Sequence, residues 1–169
     1  YKRNDWYYLL TAEGGTGYRH SATMARSKNI WGPYEVDPAN PILTSADRPD
    51  ASLQKAGHAS IVRTQHDEWY LVHLCSRPLS PNRRCTLGRE TAIQKMHWTD
   101  DGWLRLEHGG HTPAVQVPAP DLPAHPFDPE PDRDDFDAPD LSVHFQTLRI
   151  PADESWLSLT ARPGFLRLR

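Results

Sequence analysis

Apolar and polar residues alternate through most of the first hundred positions, in short runs separated by turn formers. Trp6-Tyr7-Tyr8-Leu9-Leu10-Thr11 is an aromatic-rich run between Asn4-Asp5 and Gly14-Gly15, and residues 21–26 alternate cleanly. Residues 58–64 and 69–74 flank the polar turn Gln65-His66-Asp67; residues 91–98 and 103–106 flank Thr99-Asp100-Asp101-Gly102. A period of two bounded by such turns predicts antiparallel strands and hairpins. No window sustains a 3.6-residue period, so little helix is expected. Asn4-Asp5-Trp6, Asp67-Glu68-Trp69 and Asp101-Gly102-Trp103 repeat one theme, a polar turn directly before a Trp that opens a strand. Stacked antiparallel sheets fit it, whether propeller blades or a sandwich.

From 112 to 140 the alternation stops, and prolines and acidic residues crowd in. Eight Asp or Glu face a single Arg between Asp121 and Asp140, giving that stretch a charge of −7 within a net −3 for the chain. It reads as an extended linker. Beyond it, residues 141–150 and 156–159 are expected to be strands again, with a turn at Pro163-Gly164. The domains are therefore expected at 1–111, at 112–134 for the Pro/Asp-rich linker, and at 135–169 for the start of a second β domain. Tyr1 opens just ahead of a strand pattern and the run to Arg169 still reads as structure, so the chain reads as a piece of a longer protein.

Composition narrows the function. The net negative charge argues against a general nucleic-acid binder. No apolar run approaches the ~20 residues a membrane helix needs, so no membrane partner is expected. Two cysteines, Cys75 and Cys85, are too few for a disulfide scaffold and are read as free thiols.

Four residues stand where chemistry gathers, at strand ends beside glycines. Glu13 precedes Gly14-Gly15 and could act as an acid, a base or a hydroxyl acceptor; the alternative is a polar residue ending a strand. Thr16 offers a hydroxyl just after the glycines. His58 follows Gly57 and could ligate a metal, orient a water or bond a carboxylate, or be a satisfied structural histidine. Arg89 lies between Gly88 and a strand and suits bidentate contact with sugar hydroxyls or a carboxylate, unless Arg89 and Glu90 merely form structural ion pairs. The Asp132 to Asp137 run lacks the Gly and distal Glu of a calcium loop.

Three segments together carry a resemblance. They are Trp6 through Thr16, Gln54-Lys55-Ala56-Gly57-His58-Ala59-Ser60, and Leu87-Gly88-Arg89-Glu90-Thr91-Ala92-Ile93-Gln94. They resemble glycoside hydrolase family 43, most of all its two-domain β-xylosidases. Asp135-Phe136-Asp137, Phe145-Gln146-Thr147-Leu148-Arg149 and Arg162-Pro163-Gly164 resemble the beginning of that group's C-terminal sandwich. The resemblance implies an all-β fold: the last blades of a five-bladed β-propeller, a linker, and the first strands of a β-sandwich. It implies an inverting, exo-acting β-xylosidase that releases xylose from xylo-oligosaccharides, with α-L-arabinofuranosidase activity in many relatives. By motif match, Arg89 is similar to the Arg that contacts sugar hydroxyls, and Thr16 to a small polar residue lining the pocket. His58 is similar to the axial His under that pocket, near a central ion or water. The acid Glu and both Asp of the family are expected upstream of Tyr1. Glu13 does not match the acid and stays a lesser candidate, so the isolated chain is expected to be inactive.

The resemblance further implies a xylo-oligosaccharide or arabinoside substrate, no required cofactor, room for a structural calcium ion, and a cytoplasmic location. The 78–85 loop is short for this group. An incomplete propeller leaves an open sheet edge, which favours association and allows a homo-oligomer. The rivals are a non-catalytic carbohydrate-binding protein and a structural β domain.

Overall fold

The computed structural model describes residues 1–79 and 82–169, so the centre of the 78–85 loop lies outside the described residues. Among these the chain is all-β, without a helix, in two compact units, Tyr1–Leu122 and Pro123–Arg169.

The first unit holds two antiparallel sheets. One contains β1 (Lys2–Arg3), β2 (Trp6–Glu13), β3 (Ser21–Ser27), β4 (Glu35–Val36) and β5 (Leu43–Thr44). It is ordered β1-β2-β3-β4, with β5 also pairing β3. The other is a four-stranded meander of β6 (Gln54–Arg63), β7 (Trp69–Ser76), β8 (Glu90–Trp98) and β9 (Leu104–Leu106). The turn before β9 forms as its sequence demands. Gly102 takes φ 83°, its N–H donates to the Thr99 carbonyl at 2.9 Å, and the Thr99 hydroxyl accepts from the Trp103 N–H at 2.9 Å.

The core lies between the sheets. Tyr8, Met24 and Leu43 from one meet Ile61, Leu71, Met96, Trp103, Leu104 and Leu106 from the other. Four tryptophans serve it in two ways. Trp103 is buried outright, while Trp6, Trp69 and Trp98 pack on the margin of the cluster. The Tyr8 hydroxyl donates to the Gly102 carbonyl at 2.8 Å and fixes one sheet to the turn of the other. Arg26 adds a second link, its side chain lying against Trp6 and Trp103 and donating to the Asp101 carbonyl. A third is the buried Asp37 carboxylate, which accepts two hydrogen bonds from the Arg105 guanidinium.

β9 pairs only Met96 to Trp98, so the earlier part of β8 lacks a strand on that side. The proline-rich segment runs there instead. Buried Gln94 donates from its side-chain nitrogen to the Ala114 carbonyl and accepts from the Ala114 N–H, both at 2.9 Å. Farther on, the Tyr70 hydroxyl donates to the Pro118 carbonyl at 3.2 Å, and Glu68 accepts from the Asp121 N–H at 2.8 Å. Residues 112–121 are thus tied to the sheet at Ala114, Pro118 and Asp121, while Val115 and several neighbours stay exposed.

The second unit contains one hairpin, β10 (Leu157–Ser158) paired with β11 (Arg167–Leu168), closed through a turn at Gly164 with φ 78°. The strand expected over 141–150 does not form: those residues are turns, bends and irregular chain, with Val143, Leu148 and Ile150 exposed. A strand needs a partner edge, and the described residues of this unit provide only the short hairpin. The expected 156–159 strand shrinks to Leu157–Ser158 for the same reason.

Candidate functional site

The antiparallel register brings several chain ends to one rim. β2 ends there at Glu13 and β3 begins at Ser21, directly opposite. β6 starts there, with Gln54 facing Ser76 at the end of β7, and β8 starts there, with Glu90 facing Cys75. Gly57, Leu74 and Thr91 are lateral neighbours across three strands. Glu13, Thr16, His58 and Arg89 all lie at this rim, and all four are exposed. None of them hydrogen-bonds or ion-pairs with another through side chains among the described residues.

Each is held by identifiable backbone features. Thr16 follows Gly14 and Gly15, both in the left-handed region at φ 72° and 64°. Gly14 cannot carry a side chain, because a Cβ would overlap the Arg19 carbonyl. The loop returns to β3 through His20, whose N–H donates to the Gly17 carbonyl at 3.1 Å and whose buried ring donates from Nδ1 to the Gly15 carbonyl. His58 sits on a bulge. Between the pairs Gly57–Leu74 and Ser60–Val72, His58 and Ala59 oppose only His73, and His58 takes φ 48°. The extra residue shifts the side-chain alternation of β6 at this point.

Arg89 follows Gly88, at φ 72°, whose carbonyl accepts from the Ser76 hydroxyl at 2.8 Å. Arg89 has no side-chain partner among the described residues. The ion pair at this corner belongs to its neighbour. Arg77 donates to Glu90 at 2.6 and 2.9 Å, and these bonds hold the Glu90 carboxyl below the usual carboxylate range. Of the two, Glu90 forms a structural ion pair, with Arg77 at the end of β7, and Arg89 forms none among the described residues.

Two ring-bearing residues at this rim, Tyr18 and His20, carry no motif in the sequence. Tyr18 donates its hydroxyl to the Arg83 carbonyl at 2.6 Å, with the Arg83 guanidinium 4.0 Å and the Lys55 ammonium 5.0 Å from its ring centroid. His20 is the other, and its Nε2 is buried without a partner among the described residues. The only sequence signal for either aromatic was its place in a glycine-rich loop leading to a strand.

No three His, Cys, Asp or Glu side chains among the described residues cluster closely enough to hold a metal ion. His58 supplies one ligand, so these residues by themselves do not make a metal centre. No helix is long and apolar enough to cross a membrane. Both cysteines are free thiols, and burial pushes the Cys75 thiol up.

Comparison with known proteins gives a consistent picture. The pattern of "Glycosyl hydrolases family 43" matches residues 1–104, and that of a "Beta xylosidase C-terminal Concanavalin A-like domain" matches residues 133–169. The chain is 52% identical to a xylan 1,3-beta-xylosidase of a Vibrio species, over 99% of this chain and 33% of that protein. It is 51% identical to a beta-xylosidase of Bacillus subtilis, again over 99% of this chain and 33% of the relative. A non-reducing end alpha-L-arabinofuranosidase of Bacteroides ovatus is 41% identical over the whole of this chain and 31% of its own length. Among solved structures, xylan beta-1,4-xylosidase from Bacillus halodurans superposes with a TM-score of 0.94 at 63% identity, covering all of this chain and 32% of the other. The chain thus spans about a third of the length of the curated relatives it matches.

Proposed function

Because the chain belongs to glycosyl hydrolase family 43, we propose that it is part of an inverting, exo-acting β-xylosidase that releases xylose from xylo-oligosaccharides. One observation carries the reading: two modules, a glycosidase domain and a β-xylosidase C-terminal domain, match this chain in order. Kinship with an alpha-L-arabinofuranosidase supports arabinoside cleavage as a second activity of the same site.

Within that enzyme this chain supplies the supporting half of the site. Inversion uses one carboxylic acid to protonate the leaving oxygen and one carboxylate to activate water, set ~6.5–9.5 Å apart to leave room for that water. Both are proposed to come from outside these 169 residues, so the chain alone has no acid–base pair. Glu13 is not assigned to either role. Arg89 is proposed to donate to sugar hydroxyls, a role that suits a guanidinium with no partner among the described residues. Thr16 lines the same pocket with its hydroxyl. His58, raised on its bulge, orients the sugar or a water, and no step is routed through an ion at this residue. Such fixed donors contribute most where they meet charge that develops in the transition state. The propeller part is proposed to occupy 1–111, the linker 112–134 and the sandwich 135–169; the end of β9 at Leu106 and the sandwich match from residue 133 support this division.

The test assays the purified chain and the full-length enzyme side by side on an aryl β-D-xyloside, with the anomer of the first xylose formed read by NMR. The full-length enzyme is expected to release α-xylose and the chain nothing. Release of β-xylose would overturn inversion. Turnover by the chain alone would overturn the placement of the acid and base.

A further inference from the structure

We infer that His20 is a positioning residue for the sugar site: one buried ring sets both the loop that carries Thr16 and the bulge that carries His58. The inference rests on the proposed contact of those two residues with the sugar. His20 itself is 2% exposed. Its backbone is fixed at both ends. The N–H donates to the Gly17 carbonyl at 3.1 Å, and its carbonyl accepts from the buried Thr44 hydroxyl at 2.8 Å. The pinned main chain fixes where the ring starts, and its own contacts fix where it lies.

Two contacts follow from that place. On one side Nδ1 donates to the Gly15 carbonyl, the residue directly before Thr16. Gly14 and Gly15 are both left-handed and have little conformational preference of their own, so this bond selects the loop geometry. On the other side the ring lies flush against Gly57. A methyl group at Gly57 would overlap Cδ2, Nε2 and Cγ of the ring. Gly57 has an ordinary negative φ, so the close approach of His20, not backbone conformation, demands a glycine there. Immediately after it the strand breaks register at His58. Nε2, which has no hydrogen-bond partner among the described residues, is one of the ring atoms pressed against Gly57. An apolar ring of similar size would fill the space equally well, yet it would lose the bond to Gly15. This separates the two functions of the side chain.

The test measures kcat and KM for an aryl β-D-xyloside on the full-length enzyme, beside its melting temperature. His20→Phe keeps the ring against Gly57 and removes the donor to Gly15. It is expected to raise KM about tenfold, the loss of one well-placed hydrogen bond, with kcat moving less than about threefold. His20→Asn, which returns a donor near the position of Nδ1, is expected to restore KM toward the native value. Gly57→Ala is expected to lose about tenfold or more in kcat/KM, and the double variant His20→Asn with Gly57→Ala, which keeps a donor toward Gly15 and shortens the side chain facing the methyl, to recover part of that loss. If His20→Phe does not fold, the Gly57 pair decides alone.

Native KM in His20→Phe, or a double variant no better than Gly57→Ala, overturns the inference, as does a lowered melting temperature with unchanged kinetic constants. Arg89→Ala is measured in parallel. If it is impaired while His20→Phe is not, only the positioning role fails. If Arg89→Ala is also unchanged, the sugar-contact reading fails and takes this inference with it.

Discussion

The guanidinium of Arg26, in β3, lies 4.0 Å from the ring centroid of Trp103, which directly precedes β9 of the other sheet. The ring centroid of Trp6 is 4.5 Å away, and the Arg26 Nη1 donates to the Asp101 carbonyl at 2.5 Å. A cation in contact with two indoles, bonded to the turn that carries one of them, ties β3 to the other sheet. Partly desolvated cation–π contacts contribute about 0.5–2 kcal/mol each. We expect Arg26→Ala to lower unfolding stability by about 1–3 kcal/mol. Trp103→Ala, which empties a buried site, should lower it by about 3–5 kcal/mol. Urea denaturation followed by tryptophan fluorescence measures both.

Stability should fall at mildly acidic pH. His73 is buried, and desolvation holds its imidazole below the usual histidine range, against a weaker opposing effect of its bond to the Leu74 carbonyl. Unfolding exposes the ring and restores an ordinary pKa of about 6.5. Below that value the unfolded chain binds a proton that the folded chain refuses. The His73 contribution is therefore complete above pH ~6.5 and is lost as pH falls toward the lowered folded value, with a slope of at most about 1.4 kcal/mol per pH unit for one proton. Glu68 and Asp47, whose carboxyls are lowered by their hydrogen bonds to Lys95 and His111, act only at lower pH. Denaturation at pH 7.5 and pH 5.5 should differ, and the difference should shrink in His73→Phe.

Gln94 is fully buried, and both of its amide groups are used by the backbone of Ala114. Gln94→Leu fills the same volume and leaves a carbonyl and an N–H of the proline-rich segment unpaired. A cost of about 2–4 kcal/mol is expected. Hydrogen exchange at the Ala114 amide should rise far more than exchange within β6 and β7, which distinguishes release of the segment from general unfolding.

Arg77 and Arg89 flank the same corner with opposite expectations. In the full-length enzyme, Arg89→Ala should lower kcat/KM for an aryl xyloside by about a hundredfold or more, as loss of a charged donor to the reacting sugar does. Arg77→Ala frees Glu90 but removes an exposed pair, and should change kcat/KM by less than about threefold. Steady-state kinetics on the two variants separates a sugar contact from a structural one.

The strands were legible wherever alternation ran unbroken, as in residues 69–74 and 91–98, because each residue there has a settled inside and outside. β6 was read as beginning at His58 and in fact begins at Gln54. The bulge at His58 and the left-handed Lys55 interrupt the period that the eye follows. The two-residue strands β4 and β5 were invisible for another reason: both exist only through pairing with β3, a property of the neighbour rather than of their own sequence. The apolar 141–150 run shows the converse, a strand-like sequence without a partner. At the rim, glycines marked Thr16, His58 and Arg89 as residues beside special backbone. For His20 the only mark was its place in that glycine-rich loop, since a single histidine before a strand has many uses and its contact with Gly57 spans 37 positions. Buried Gln94 and His73 were likewise overlooked, because polar residues on an alternating strand are assigned outward by default.

The Gln94 side chain presents a carbonyl and an N–H side by side, as one residue of a neighbouring strand would, and so serves as a single borrowed rung at the margin of the meander. A segment gripped that way needs no strand-forming sequence of its own. That permits prolines on either side, at Pro113 and Pro118. It leaves one position constrained: residue 114 can change its side chain with little consequence, but it cannot become proline, which would bring no hydrogen to the rung.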